Sequence, residues 1–226
     1  MDNQVLFFYA MLALAVVLTR IPYIGRFIRV IGTLVHETGH VVAAFIVGHQ
    51  VKTVSLFDDL SGEAVTAGAK GWRKLGVAFA GYPFASLSAW MVFWLLYHHM
   101  EQWVLMVSLL LALFLLLLYI RNGFGIFWSL TFIALTAVIL FYAHKEVQYG
   151  YALVLAMLLL ADSLASPFVL LLIALKNPAG AGDATNLRKL THVPELFWAL
   201  LFALISTWIT YQIISHFFPY LNTWLT

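Results

Sequence analysis

The feature that most constrains this chain is a succession of long, unbroken apolar runs: Trp103 to Ile120, Phe124 to Ala143, Tyr149 to Leu175 and Leu196 to about Phe218. Helices of that length reach across a hydrocarbon layer about 30 Å thick. None of the runs alternates at every second residue, as a barrel strand would. The chain is 63% hydrophobic and 10% charged, with a mean hydropathy of +0.94. Soluble domains carry roughly 45–50% apolar and about 25% charged residues. A chain this apolar cannot cover itself with a polar surface, so lipid is its solvent. In lipid every backbone amide must bond within the chain, and continuous apolar runs do so as helices. The fold class is therefore all-α integral membrane.

Further runs come earlier. Val5 to Thr19 ends at Arg20 and Pro22, Val30 to Gly48 is the second run, and Leu75 to Tyr97 is the third, with Gly81-Tyr82-Pro83 in its first half. Proline there is expected either to break the helix, with the freed backbone groups lining a cavity, or to be tolerated. The total is six to seven transmembrane helices, depending on whether the second run crosses fully. Val51 to Leu56 and Glu63 to Thr66 partly alternate around Asp58-Asp59-Leu60-Ser61-Gly62, which predicts a short β-hairpin. With no internal repeat or second composition, residues 1–226 read as a single membrane-embedded domain.

Net charge is +2 and the basic residues are scattered, so there is no nucleic-acid footprint. The absence of cysteine excludes disulfides, thiolate zinc sites and a cysteine nucleophile. Met1-Asp2-Asn3-Gln4 lacks the basic start of a signal peptide, so the first run is expected to be a retained span. With a cytoplasmic N-terminus, Lys52, Lys70, Arg73, Lys74, Arg121, Lys176, Arg188 and Lys189 gather on the inner side. The opposite side keeps Arg20, Arg26, Arg29 and Lys145, and the excess of basic residues favours this orientation.

Within the second run lies His36-Glu37-Thr38-Gly39-His40. On a helix, residues four apart share a face, so both imidazoles can bind one Zn2+ ion while Glu37 stands beside it as general base. Ionisable residues are costly in such a segment and usually functional. The plain alternative is a polar cluster that only holds helices together, a task that Ser and Thr perform more cheaply. A catalytic zinc site needs three protein ligands and an open position. Two aspartates can supply the third. Asp162 lies in the middle of an apolar run, where it could equally support a histidine or a neighbouring helix. Asp183 opens a helix after a Gly-rich loop, where it could equally be an N-cap. The residues alone leave both open.

The segment His36 to Ala44 resembles the zinc helix of the site-2 protease family. Gly48, Val51 to Leu56, Gly62 and Ala80-Gly81-Tyr82-Pro83 are similar to its M50B-like bacterial branch, as are Gly182-Asp183-Ala184 and the stretch Leu187 to Trp198. The resemblance implies an intramembrane zinc metalloprotease in the bilayer of a bacterial cell membrane, acting on a membrane protein or peptide substrate. It implies His36, His40 and Asp183 as zinc ligands and Glu37 as the catalytic base. Asn177-Pro178 precede Asp183 as an Asn and Pro precede the family's ligand aspartate, although the usual Leu-Asp-Gly block is absent and Asp162 stays in play. Substrate choice must come from the membrane part, because no inserted binding domain is present. Two other readings are a non-proteolytic zinc-binding scaffold, for which Glu37 would be dispensable, and a metal transporter, which would carry acidic residues along several spans.

Overall fold

The computed structural model describes residues 3–68 and 71–218, so Met1, Asp2 and Lys70 of the readings above lie outside the described residues. Helices α1 (Asn3–Arg20) and α2 (Ile24–Ile46) are followed by strands β1 (Gln50–Leu56) and β2 (Gly62–Ala67). Then come α3 (Trp72–Tyr97), α4 (Glu101–Leu118), α5 (Gly123–Tyr142), α6 (Lys145–Lys176), the short α7 (Gly182–Thr191) and α8 (Glu195–Phe217). Among the described residues five helices, α3 to α6 and α8, are long and apolar enough to cross a membrane. Helices α1 and α2 bend by 107° at Pro22 and count together as a sixth at most, as a broken or re-entrant span. Among the described residues the helices thus give six spans at most, and a seventh is not confirmed. Pro22 makes the difference, because proline cannot continue a helix through its ring and missing N–H.

Proline has the other outcome in α3, which runs unbroken from Trp72 to Tyr97 with Pro83 inside. Only the carbonyl of Phe79, four residues earlier, loses its usual donor. Small residues and hydroxyls hold the bundle together, as is usual where apolar burial gives helices no preference for each other over lipid. Ser86 of α3 and Ser206 of α8 meet at 3.0 Å, and the indole Nε1 of Trp128 on α5 donates to the Phe27 carbonyl of α2 at 2.7 Å. Gly39 lets α2 approach α3 so closely that a Cβ would lie 2.7 Å from Phe84.

The hairpin is antiparallel, with Val54 opposite Ala64 and an irregularity at Lys52. Its turn is built from its own side chains: the N–H and hydroxyl of Ser61 donate to Asp59 Oδ1 at 2.9 and 2.5 Å. Those bonds hold the exposed Asp59 carboxyl below the usual carboxylate range. The outer edge of β1 is sealed. Val54 N–H donates to the Tyr119 carbonyl, and the Asn122 carboxamide exchanges two hydrogen bonds with the backbone of Leu56, as a strand would. Because Val54 turns its N–H away from β2, its opposite residue Ala64 turns its own away from β1. Gly62, Ala64 and Thr66 therefore present their backbone groups on the free edge of β2.

Candidate metal centre

Helix α2 carries Arg29, Gly32, Thr33, His36, Glu37 and His40 at spacings of three and four, so one face of it lines a cavity of about 670 Å³. The hairpin closes over that face. Thr33 donates its hydroxyl to the Leu60 carbonyl at 2.9 Å, and Leu60 takes a positive φ of 70° at the turn. Gly62 packs so tightly that a Cβ would sit 2.6 Å from both Glu37 Oε1 and Thr33 Cγ2. The Ala64 N–H donates to the Glu37 carboxylate.

The third donor arrives on α7. Thr185 ties that helix to the preceding turn through the Pro178 carbonyl at 2.8 Å, and Ala184 and Leu187 bury against Ala199 and Phe202 of α8. The entry to α7 requires glycine, since Gly182 has φ 40°. Asp183 makes no cap bond to its own helix. Its Oδ2 lies 3.2 Å from His36 Nε2 and 3.2 Å from His40 Nε2, and the two imidazole nitrogens are 3.2 Å from each other. Burial acts to raise the Asp183 carboxyl, but His40 and His36 outweigh it and hold the group below the usual range, as an anion.

These three donors form an equilateral triangle whose fit to zinc can be tested directly. Donors placed tetrahedrally about 2.0–2.1 Å from a common centre are about 3.3–3.4 Å apart. The observed edges match that separation closely. The tautomer is also set: His40 donates its Nδ1–H to the Val77 carbonyl at 2.7 Å, which leaves the Nε2 lone pair facing the triangle. Helix α3 forms the floor, because a Cβ on Gly81 would lie 2.5–2.7 Å from both imidazoles. Among the described residues, His36, His40 and Asp183 are the only group of three His, Asp or Glu residues placed to hold a metal ion.

Asp162, the other candidate ligand, faces a different partner. Arg29 donates from Nε and Nη2 to its Oδ1 at 2.8 and 2.6 Å. Its other oxygen packs against Gly32, whose missing Cβ leaves room for it. In the sequence Arg29 counts only among the basic residues of one membrane side; its place on the same helical face as His36, two turns away, is the signal that it faces the cavity. His192 ends α7 in a left-handed conformation.

The class of molecule is now defined: a helical integral membrane protein with a buried His-Glu-x-x-His helix and a downstream aspartate that together can coordinate a metal ion. The chain belongs to the Peptidase M50B-like family, whose model matches residues 9–213. Searches of curated proteins and of solved structures give no match. Family and geometry together support a zinc metalloendopeptidase of the site-2-protease-like kind.

Proposed function

We propose that this protein hydrolyses peptide bonds of membrane-embedded proteins or peptides, with His36, His40 and Asp183 holding Zn2+ and Glu37 acting as general base. The observation that carries this reading is the 3.2 Å donor triangle with Glu37 on the same helical face. When bound, zinc would lower the pKa of a water to about 7 and polarise the scissile carbonyl. Glu37 takes a proton as the water oxygen bonds to the carbonyl carbon. Glu37 then returns that proton to the amide nitrogen as the C–N bond breaks, leaving a carboxylate and an amine. The Ala64 N–H keeps the carboxylate aimed into the cavity.

The free edge of β2 is the natural seat for an unwound substrate, which must satisfy its backbone groups in a water-poor site. A strand laid along this edge would pair with Gly62 and Thr66 and pass Glu37 at the level of Ala64, whose N–H stays with that carboxylate. Thr66→Pro removes one edge donor, and proline is tolerated on edge strands. It should raise KM with zinc content unchanged; unaltered cleavage would remove the edge from the account. We take the chain to be one membrane-embedded domain with six spans, the bent α1–α2 pair being the first, in the cell membrane of a bacterium.

The test is the zinc content of the purified protein and of four variants. One zinc per chain is expected in the wild type and in Glu37→Gln, with loss in His36→Ala and Asp183→Asn. Asp162→Asn should keep it. Loss in Asp162→Asn with retention in Asp183→Asn would reverse the ligand assignment. Full proteolytic activity in Glu37→Gln would remove that residue as the base, and zinc binding without cleavage of any membrane peptide would favour the scaffold reading.

A further inference from the structure

Adding water to an amide places negative charge on the carbonyl oxygen. A fixed hydrogen-bond donor at that spot is worth about 10²–10³ in kcat. The residues assigned so far supply a base and ligand atoms, but no such donor. Thr33, Ser61 and Ser163 line the same cavity, yet their hydroxyls are committed to Leu60, Asp59 and Leu160. Thr66, Ser166 and Asn186 line it as well, but Tyr82 is the donor whose ring packs directly on a ligand imidazole.

Tyr82 is different. It follows Gly81, whose Cα abuts the two imidazoles, and it lines the cavity. Its ring stands edge-on to His36, with centroids 4.5 Å apart at 73°, and is backed by Phe202 at 4.8 Å. Held on both sides, the ring has little freedom to turn away. Among the described residues its hydroxyl has no hydrogen-bond partner, although both Asp183 and Glu37 act on it electrostatically. Phenylalanine would satisfy the same ring contacts. The hydroxyl is therefore available to a partner that arrives with the substrate in the cavity.

We propose that the Tyr82 hydroxyl is a catalytic hydrogen-bond donor to the oxyanion that develops on the scissile carbonyl, an assignment that rests on the protease reading above. As the water oxygen bonds to the carbonyl carbon, the C=O π pair moves onto oxygen and accepts the hydrogen bond from Tyr82. The phenol keeps its proton throughout. When the C–N bond breaks, the electron pair returns to form the new carboxyl carbonyl and the hydrogen bond relaxes.

The experiment uses zinc-loaded full-length protein, wild type and Tyr82→Phe, in lipid nanodiscs. It has three readouts: zinc content, kcat and KM on a fluorogenic transmembrane peptide, and affinity for a phosphinic peptide that mimics the tetrahedral geometry. Tyr82→Phe deletes one oxygen and keeps both ring contacts. The expected result is unchanged zinc, KM within about threefold and kcat lower by about 10²–10³, with phosphinic-peptide affinity at least about tenfold weaker. A kcat within about threefold of wild type with undiminished phosphinic-peptide affinity overturns the assignment. Zinc loss in Tyr82→Phe also overturns it, since the ring would then only seat His36. A wild type that cleaves nothing refutes the protease reading separately, and the affinity comparison then decides the role of Tyr82 by itself.

Discussion

Replacing Gly81 with alanine tests the arrangement of the metal centre at its tightest point. The added Cβ would lie 2.5 Å from His36 Cε1, 2.6 Å from His36 Nε2 and 2.7 Å from His40 Nε2. Carbon atoms prefer separations of about 3.5–4.0 Å, so the shortfall is about 1 Å against two rings at once. His40 cannot swing aside without giving up its bond to the Val77 carbonyl, 2.7 Å long and worth about 1 kcal/mol. His36 is hemmed in by Tyr82 on the same side. Either the rings rotate out of the triangle or α3 backs away from α2, and both spoil a donor set whose edges are 3.2 Å. Zinc affinity should fall at least about 100-fold, a loss of about 2.7 kcal/mol. The helix itself gains about 0.5–1 kcal/mol from the same change, because alanine is the better helix former. The metal-free variant should therefore unfold close to where the metal-free wild type does. Competition with a chromophoric chelator gives the affinity, and thermal unfolding in detergent with and without zinc gives the stability. Gly76→Ala is the control on the same helix, since a Cβ there meets nothing within 4 Å; it should leave zinc affinity unchanged. Gly81→Ala binding zinc as tightly as wild type would refute the floor assigned to α3.

Other outcomes follow from the same geometry. Gly62→Ala puts a Cβ 2.6 Å from Glu37 Oε1, so kcat should drop about 10- to 100-fold, as for misplaced catalytic groups, while zinc content stays at one per chain; unchanged kcat would mean that the hairpin does not position the base. Asp162→Asn breaks the ion pair joining α2 and α6; its cost should be up to about 3 kcal/mol, the low end for buried pairs because Arg29 is one-third exposed, and a denaturation midpoint equal to wild type would argue against a structural role. Chelation of zinc should abolish cleavage reversibly, with activity restored in proportion to zinc added back; activity that survives complete removal of metal would exclude the mechanism. Asp59→Ala should loosen the hairpin turn, seen as faster amide exchange at Ser61, because Ser61 loses both of its bonds to that carboxylate. The folded Asp59 pKa is depressed, so its contribution is present above the ordinary carboxylate pKa and is lost as pH falls through the folded value. Exchange at Ser61 should therefore quicken in acid in the wild type relative to its neighbours, and the variant should show no such step.

The local features were legible along the chain because each follows from short-range rules. Apolar runs longer than a bilayer is thick have one solution in lipid. Histidines four apart share a helical face whatever the surrounding fold. The turn at Asp59 to Gly62 is built from residues that bond to their own neighbours. Pro22 and Pro83 show where this reading stops: the same residue ends one helix and is passed through by another, and only the packing of α3 against α2 and α8 separates the two cases.

The sequence by itself determined a helical membrane protein, two imidazoles with a carboxylate on one face, and a hairpin after them. The tertiary structure alone decided which aspartate meets the imidazoles. Asp162 and Asp183 are both costly acidic groups next to apolar segments, and no rule of spacing tells a ligand from an ion-pair partner. The difference arises because α7 packs against α8 and carries Asp183 to within 3.2 Å of both rings, while α6 crosses α2 at Gly32 and presents Asp162 to Arg29, 133 residues away in the chain. The floor at Gly81 and the free hydroxyl of Tyr82 belong to the same kind of information. A glycine or tyrosine in an apolar run looks unremarkable until a second helix is laid against it, because what either does there depends on contacts that chain order does not encode.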